Sequence, residues 1–334
     1  MEYLASVAIA AGVLNTFLSA LKRVTLDVDS TVITRNGNQQ GAARGYNPNR
    51  HGRVSHHPLL AFVAEARMVA NFWLRPGHAH SANNILQFLE STLHHLGDKI
   101  VGLLRADSGF FDETVLSFLE DKGIAYIVAA RLTQPLQRAL YHATGWWALE
   151  PGLELTELRY RAAGWASERR LIVVRQSVKR KTAPGKTLSL FADDPDIQGW
   201  RYGAFVTSVD LPMVEVWRTY RGRADCENRI KELKADFGLD AFNMRDFWAT
   251  EAALGFVMLA YNLMSLFRQA VLRCRLQHTL STLHGLVLAI GGSWHPDASQ
   301  NRLMLSVPRR KRAWFAGLWA NASAPPVTPA LHTG

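Results

Sequence analysis

A short stretch of the chain places one carboxylate among cations and a phenol. Tyr220, Arg223, Glu227, Lys231 and Lys234 are separated by three, four, four and three residues. An α-helix would therefore carry them on one narrow stripe. Carboxylates bind divalent metal ions, and arginine and lysine side chains bind phosphate oxygens. The pattern predicts a site for a metal ion and a phosphate backbone.

An apolar stripe runs beside the polar one, which predicts that this helix packs on a core. Asp225 and Glu232 lie off the polar stripe, and we predict that they are surface charges. Taken alone, Glu227 and Lys231 could be a solvated ion pair worth a few tenths of a kcal/mol. The full pattern Y-x2-R-x3-E-x6-K is more specific. It resembles the signature around the third acidic residue of bacterial insertion-sequence transposases of the DDE class. The apolar stripe of the predicted helix consists of Cys226, Ile230, Leu233 and Phe237.

Two aspartates upstream fit this resemblance, each at the end of a predicted strand. The β-branched run Val24–Thr34 reads as a strand. Within it, Asp29-Ser-Thr31 resembles the Asp-x-Thr that carries the first catalytic aspartate of this class. Asp27 lies on the same face and is either a partner of that ligand or the ligand itself. A second apolar run, Ile100–Ala106, ends at Asp107. Alone, Asp107 could be a turn or helix-capping residue, but the resemblance makes it the second catalytic aspartate.

The predicted elements between these residues follow one order. His57–Glu65 and Arg67–Leu74 read as strands, Asn84–His94 as an amphipathic helix and Gly123–Ala130 as a fifth strand. The resemblance implies an RNase H-like fold. Its order is three strands, a helix, a strand, a helix and a strand before the Glu227 helix, as predicted here. Periodicity alone predicts a mixed α/β domain. We expect a mixed sheet flanked by helices.

The stretch between the second aspartate and Glu227 is longer than this order needs. We predict a β-rich insertion there, which some family members carry, with strands at Leu153–Arg161, Arg170–Arg175, Leu188–Phe191 and Gly203–Val209. The insertion is rich in tryptophans and cations. Tryptophans can stack on unpaired bases, but core tryptophans and solvated cations explain the composition as well. These residues are Trp146, Trp147, Trp165, Trp200, Arg169, Arg170, Lys179, Arg180, Lys181 and Lys186.

Composition limits the class of protein. The chain has 334 residues, 48% of them hydrophobic, which suits about two domains with a real core. Its net charge of +10 favours a polyanionic partner. Cys226 and Cys274 have no ligand spacing, which argues against a zinc site and a disulfide framework. The histidine pairs have no carboxylate at ligand spacing, so we predict no metal site there.

Two apolar stretches have the composition of membrane segments but lack other features of them. Leu4–Leu21 has no basic residue before it, unlike a secretory signal. Ala252–Phe267 is about 16 residues long, short of the roughly 20 that span a bilayer. We therefore predict no membrane partner and a buried helix at Ala252–Phe267. Further on, the basic run Arg309–Arg312 near Trp314 and Trp319 either contacts DNA backbone or is a solvated end.

The predicted division of the chain follows from these elements. The parts are a first section of the RNase H-like core at 1–131, the insertion at 132–210, the catalytic Glu helix with a packing helix at 211–275, a helical basic segment at 276–320, and a disordered tail at 321–334.

The resemblance implies an enzyme that nicks DNA at transposon ends and transfers the strand into target DNA. It implies two Mg²⁺ ions, for which Mn²⁺ can substitute, and a homodimer or higher oligomer on DNA. We expect a bacterial cytoplasmic protein associated with the nucleoid. The catalytic and metal-binding residues would be Asp29, Asp107 and Glu227, and the DNA-binding residues Tyr220, Arg223, Lys231 and Lys234.

Two alternatives stay open. One is a metal-dependent nuclease of the same fold that cuts without joining, and the other is a non-catalytic, DNA-binding remnant of a transposase. Family members usually have an additional N-terminal region that binds the transposon ends, whereas about 25 residues precede Asp27 here. We therefore also consider a truncated chain whose catalytic residues are intact.

Overall fold

Strands and helices alternate in the first half of the chain, and strands dominate from Trp147 to Thr207. The structure is a computed structural model that describes residues 21–48, 50–80, 84–177, 196–197, 199–274, 278–296 and 301–323. Its strands are β1 (Arg23–Ser30), β2 (Ile33–Thr34), β3 (Ala43–Arg44), β4 (Val54–His56), β5 (Leu59–Val63), β6 (Met68–Trp73), β7 (Ile100–Ala106), β8 (Ala125–Ala129), β9 (Trp147–Glu150), β10 (Leu153–Tyr160), β11 (Arg169–Ser177), β12 (Asp196–Ile197), β13 (Trp200–Thr207), β14 (Gly292–Pro296) and β15 (Asn301–Leu305). Its helices are α1 (Ile85–Leu96), α2 (Glu113–Asp121), α3 (Gln134–Tyr141), α4 (Met213–Arg221), α5 (Ala224–Ala235), α6 (Phe247–Leu266), α7 (Leu280–Leu283) and α8 (Arg312–Ser323). Short turns of other helix types cover Ser108–Phe110, Phe267–Leu272, His284–Leu288 and Arg309–Lys311.

One large mixed sheet organises the protein. Its first five strands lie in the order β6-β5-β1-β7-β8. β5 is antiparallel to β6 and β1, whereas β7 is parallel to β1 and β8. Helix α1 precedes β7 and α2 precedes β8, as parallel neighbours require a crossover connection. The predicted fold class, a mixed sheet flanked by helices in this order, is confirmed.

The side chains of β1 alternate between the two faces of the sheet, so this strand contributes to the packing on both sides. Val24, Leu26 and Val28 face a core that α1 and α2 cover. Asp27 and Asp29 face the side on which α5 lies, and they are only 0% and 7% exposed. Buried carboxylates are costly unless other charges compensate them. The α5 side of the sheet must therefore supply cations.

The predicted insertion continues the same sheet. β13 pairs antiparallel with β8, and β11, β10 and β9 follow outward. Three of the predicted strands are present as β10, β11 and β13. The fourth, predicted at Leu188–Phe191, lies outside the described residues, as do the cations predicted at 179–186.

Helix α6 lies along the edge strand β6 with polar side chains facing inward. The Asn262 side chain accepts a hydrogen bond from the Val69 amide, at 2.8 Å, and donates one to the Val69 carbonyl, at 2.9 Å. The Ser265 hydroxyl donates to the Arg67 carbonyl at 2.8 Å. These side chains satisfy backbone groups that an edge strand otherwise leaves unpaired.

The outer face of the same helix is apolar. Trp248, Phe256 and Leu263 are all exposed there. The stretch Phe247–Leu272 is long and apolar enough to cross a membrane by length and composition alone, yet half of its most apolar window is buried inside the protein. A single helix of this kind is weak evidence for a membrane span, because core helices have the same length and composition.

The C-terminal part is less helical than predicted for 276–320. β14 and β15 form an antiparallel hairpin between α7 and α8. All five residues of β14 are exposed, and its sequence, Gly-Ser-Trp-His-Pro, has no alternation of apolar and polar residues that would predict a strand. Helix α8 packs through Leu318, and its Asn321 side chain donates to the Val271 carbonyl at 2.9 Å. Residues 324–334 of the predicted tail lie outside the described residues.

Candidate active site

The predicted single helix through Tyr220 and Glu227 is two helices, α4 and α5, which meet at Gly222 and Arg223. At the junction a hydrogen bond spans three residues, from the Arg223 amide to the Tyr220 carbonyl at 2.9 Å. A Cβ atom on Gly222 would lie 2.6 Å from Nη1 of Arg105. A short turn thus interrupts the predicted single helix where the chain passes Arg105.

Tyr220 consequently lies over the sheet rather than on an open helix face. Its ring packs on Phe205 of β13, with centroids 4.4 Å apart. The pKa of Tyr220 is raised to about 12, mainly by burial; the Arg223 cation lowers this pKa, and the charges of Asp107, Asp29 and Glu227 raise it. The phenol therefore lies within electrostatic range of all three predicted catalytic carboxylates.

Arg223 joins two of those carboxylates. Its Nη2 lies 2.9 Å from Oδ2 of Asp29, and its Nη1 lies 3.7 Å from Oε1 of Glu227. The guanidinium is buried, whereas the Glu227 side chain is 58% exposed. Within the described residues, neither Nε nor Nη2 of Arg223 has an aligned hydrogen-bond acceptor. The guanidinium is thus held mainly by charge and retains donors for another anion.

Asp107 follows the last residue of β7, next to the strand that carries Asp29. The parallel register pairs Asp27 with Arg105 and Val28 with Ala106. The two predicted catalytic aspartates therefore lie side by side at the C-terminal ends of these strands. The Asp107 carboxylate accepts a hydrogen bond from the Gly109 amide at 3.0 Å. This contact caps the short helical turn after the strand and fixes the carboxylate at the strand end.

The charge state of Asp29 reflects this neighbourhood. Burial raises its pKa from 3.8 to about 6. The Arg223 cation lowers the pKa, while the negative charges of Asp107 and Glu227 raise it. The Asp107 and Glu227 charges are therefore close enough to affect the ionisation of Asp29.

Asp27 differs from Asp29 in having both oxygens bound by a single guanidinium, whereas the Asp29 oxygens contact the Ser30 amide, at 2.8 Å, and Arg223. Arg105 donates from Nε to Oδ1 at 2.7 Å and from Nη2 to Oδ2 at 2.9 Å. The aspartate is fully buried, and Arg229 approaches it to 4.0 Å. A carboxylate bound by both oxygens to one guanidinium is a poor candidate for a metal ligand, which favours Asp29 of the two alternatives.

Comparison with known proteins identifies the family. The sequence matches the family described as transposase DDE domain group 1 over residues 4–321. The chain belongs to this family. The resemblance that the motifs suggested is confirmed. No curated protein sequence matches the chain.

Among solved structures, the fold is similar to the cryo-EM structure of the piggyBac transposase synaptic complex with hairpin DNA. The identity is 11% and the TM-score 0.41, and the match covers 88% of this chain and 57% of that one. The chain thus spans little more than half the length of that transposase.

DDE transposases generally depend on divalent metal ions. The predicted residues fit such an ion chemically, since Asp29, Asp107 and Glu227 offer hard oxygen ligands. In the described part of the chain, however, no group of three His, Cys, Asp or Glu side chains is already close enough to hold a metal ion. The Arg223 guanidinium supplies the positive charge between Asp29 and Glu227. Binding of an ion by this DDE domain would therefore require the carboxylates to approach one another.

The two lysines of the predicted DNA-binding set lie in different environments. Lys231 is exposed on α5. Lys234 is half-buried, and its ammonium donates to the Val32 carbonyl at 2.9 Å. Burial lowers the pKa of Lys234, while Asp240 and Asp29 raise it. Lys231 is thus available to a phosphate directly, and Lys234 positions the loop that follows β1.

The prediction that Glu232 is a surface charge is wrong. Glu232 is 7% exposed, forms an ion pair with Arg268, and accepts a hydrogen bond from the Leu280 amide at 2.9 Å. Asp225, predicted in the same way, is indeed 57% exposed. The helical wheel placed Glu232 off the polar stripe but gave no information on the segment that covers it.

Sequence reasoning missed Arg105 and Arg229, which surround Asp27. Arg105 is a cation on an otherwise apolar strand, two residues before Asp107, so its side chain lies on the same face of β7. That position is the signal that could have identified it. Arg229 carries no comparable signal, because exposed arginines are common on helices.

The tryptophans of the insertion mostly pack within the protein. The Arg175 guanidinium carbon lies 3.9 Å from the ring centroid of Trp146 and 4.5 Å from that of Trp200. Trp165 is buried, whereas Trp147 is 47% exposed. These contacts favour the core interpretation for three of the four. In the C-terminal basic run, Arg309, Arg310 and Arg312 are exposed.

Proposed function

We propose that this member of the DDE family nicks DNA at the ends of an insertion sequence and transfers the strand into target DNA. The observation that supports this most is the buried Asp29, which lies between Arg223 and the charges of Asp107 and Glu227. Such a carboxylate is costly to bury. Elevated carboxylate pKa values of this kind concentrate at functional sites.

We assign Asp29, Asp107 and Glu227 as the ligands of two Mg²⁺ ions, for which Mn²⁺ can substitute. Bound ions would supply Lewis-acid activation of the attacking oxygen and stabilisation of the leaving oxygen. Asp29 and Asp107 would hold one ion, and Asp29 and Glu227 would hold the other. Asp27 is assigned to the ion pair with Arg105 and not to the metal site.

The DNA backbone is assigned to Tyr220, Arg223, Lys231 and Lys234. Arg223 has buried donors without aligned acceptors in the described structure, so a phosphate that replaces Asp29 as its partner gains charge-assisted hydrogen bonds. Release of Asp29 from Arg223 would leave the carboxylate free for metal. Substrate binding and completion of the metal site are thereby coupled.

The assembly and location are proposed on the same basis. The chain acts on DNA as a homodimer or higher oligomer, in the bacterial cytoplasm at the nucleoid. The net charge of +10 and the exposed basic run before α8 support a polyanionic partner.

A two-part assay on DNA tests the proposal. Nicking is followed as relaxation of supercoiled plasmid with Mg²⁺, and joining as covalent transfer of an oligonucleotide with a labelled 3′ end into that plasmid. Metal-dependent nicking with joining supports the transposase. Nicking without joining would support the alternative nuclease, and DNA binding without metal binding would support the remnant.

The raised pKa of Asp29 gives a first prediction. Carboxyl NMR of the metal-free protein should show Asp29 titrating at about pH 6. Because the folded pKa is above 3.8, the protonated carboxyl favours the folded state below that pH, and this contribution is lost as the pH rises through 6. Addition of Mg²⁺ should move the titration to lower pH, since the ion binds the ionised form. Asp29→Asn provides the assignment, and an Mg²⁺-insensitive titration would contradict the metal assignment.

Lys231 gives a second prediction. Lys231→Ala should weaken binding to all DNA sequences alike and reduce the slope of log K against log salt by about 0.9, the value of one phosphate contact. Lys122→Ala is the matched control, because Lys122 is exposed at the end of α2 on the opposite face of the sheet. Equal slopes for the two variants would mean that Lys231 does not contact the backbone.

A further inference from the structure

Arg105 connects three segments of the chain that carry the proposed site. It lies on β7, two residues before Asp107, and its Nε and Nη2 bind both oxygens of Asp27 on β1. Its remaining nitrogen, Nη1, donates to the Thr219 carbonyl in α4 at 2.6 Å. This planar side chain extends from β7, the strand that precedes Asp107. It therefore bonds to β1, which carries Asp29, and to the end of α4, which precedes Arg223.

Close packing on several sides restricts the conformation of the Arg105 side chain. Arg105 is 8% exposed and Asp27 is 0% exposed. Gly222, in the α4–α5 junction, approaches so closely that a Cβ atom there would lie 2.6 Å from Nη1. Arg229 closes the cluster from α5, with Nη1 4.0 Å from Oδ2 of Asp27.

The members of this cluster are each offset by two residues from a proposed metal ligand. Asp27 precedes Asp29, Arg105 precedes Asp107, and Arg229 follows Glu227. On the two strands, an offset of two keeps the side chains on one face of the sheet. A shift of the cluster therefore shifts Asp29 and Asp107 relative to each other, and through the Thr219 carbonyl it shifts the helix junction that leads to Glu227.

We propose that Arg105 is a positioning residue, which through Asp27 and the Thr219 carbonyl sets the distances among the Asp29, Asp107 and Glu227 carboxylates. This inference rests on the proposed function of those carboxylates. The requirement is for arginine in particular, because its rigid fork presents three nitrogens at fixed angles. A lysine ammonium keeps the charge but cannot hold Asp27 with two parallel bonds and reach Thr219 as well.

The test is Arg105→Lys, with Mn²⁺ binding measured by electron paramagnetic resonance and nicking measured across Mn²⁺ concentrations. We expect the apparent Mn²⁺ dissociation constant to rise about 10–100-fold, as when partners of metal ligands are removed. DNA affinity should change less than about twofold, and excess Mn²⁺ should restore part of the nicking rate. Gly222→Ala, which retains Arg105 but presses on its Nη1, should raise the same constant.

A matched control separates positioning from stability. Arg169, like Arg105, is buried and ion-paired, in its case with two carboxylates, those of Glu113 and Glu120, but it lies on the insertion strand β11. Arg169→Lys should lower the urea midpoint and leave Mn²⁺ affinity unchanged. If Arg105→Lys likewise lowers only the midpoint, the positioning role is overturned.

Asp29→Asn distinguishes this failure from failure of the proposed function. Where the parent binds Mn²⁺ and Asp29→Asn abolishes binding, the metal site stands, and an unchanged affinity in Arg105→Lys overturns the positioning role alone. Where the parent binds no Mn²⁺, or Asp29→Asn binds it normally, the metal site and the inference are overturned together.

Discussion

Glu227→Gln should reduce Mg²⁺-dependent nicking by roughly 10³-fold or more, which corresponds to about 4 kcal/mol of lost transition-state stabilisation. The amide keeps the size of the side chain but removes the negative charge from the proposed metal site. Folding should be unaffected, since the Glu227 side chain is 58% exposed and its nearest cation in this structure is Arg223, at 3.7 Å. DNA binding should be retained. The measurements are initial nicking rates and filter binding on the same DNA.

Glu215→Gln is the control for that substitution. It makes the same chemical change on α4, where the Glu215 side chain is 50% exposed and pairs with the exposed Arg218. Its nicking rate should match that of the parent. If Glu227→Gln nicks at the parental rate, or if both variants lose activity equally, Glu227 is not the third catalytic carboxylate.

Glu232→Gln, in contrast, should cause a large loss in the free energy of unfolding. The substitution leaves Arg268 buried without its counter-charge, and breaking a buried ion pair in this way costs roughly 3–5 kcal/mol. The hydrogen bond from the Leu280 amide also loses a charged acceptor. Urea unfolding should show a lower midpoint with an unchanged slope.

Asp225→Asn, on the same helix, is the control for stability. Its carboxylate is 57% exposed, and exposed substitutions usually change stability by less than about 0.5 kcal/mol. Equal midpoints for Glu232→Gln and Asp225→Asn would show that Arg268 is solvated or has another partner. The ion pair between Glu232 and Arg268 would then contribute nothing to the stability of the fold.

The strands and the strand-end aspartates could be predicted because their signals are local. Alternation with a period of two marks β1, an apolar run marks β7, and the carboxylate that follows this run is visible in the sequence. The register that brings Asp29 and Asp107 to one edge follows from the parallel pairing of their strands. The placement of Glu227 depended on the motif and its resemblance rather than on periodicity.

The features that could not be predicted depend on partners distant in sequence. Glu232 is buried by Arg268 and by the start of α7, neither of which a helical wheel contains. The break between α4 and α5 occurs at Gly222, a residue that often interrupts helices. The reason for the break is the close approach of Arg105, more than a hundred residues earlier. The inward position of Arg223 likewise depends on its contact with the buried Asp29, which lies far away in the sequence.

The contacts between α6 and β6 make the two sides of the large sheet unequal. Asn262 gives Val69 the donor and the acceptor that an adjoining strand would give, and Ser265 and Glu251 satisfy the backbone at Arg67 and Leu74. An extended peptide from another molecule therefore cannot dock by main-chain pairing at these positions. At the opposite side, β9 is the last strand and most of its residues are exposed. The sheet is thus closed to a further strand along β6 and open to one along β9, and its strands that follow Asp107 all lie on the open side of β7.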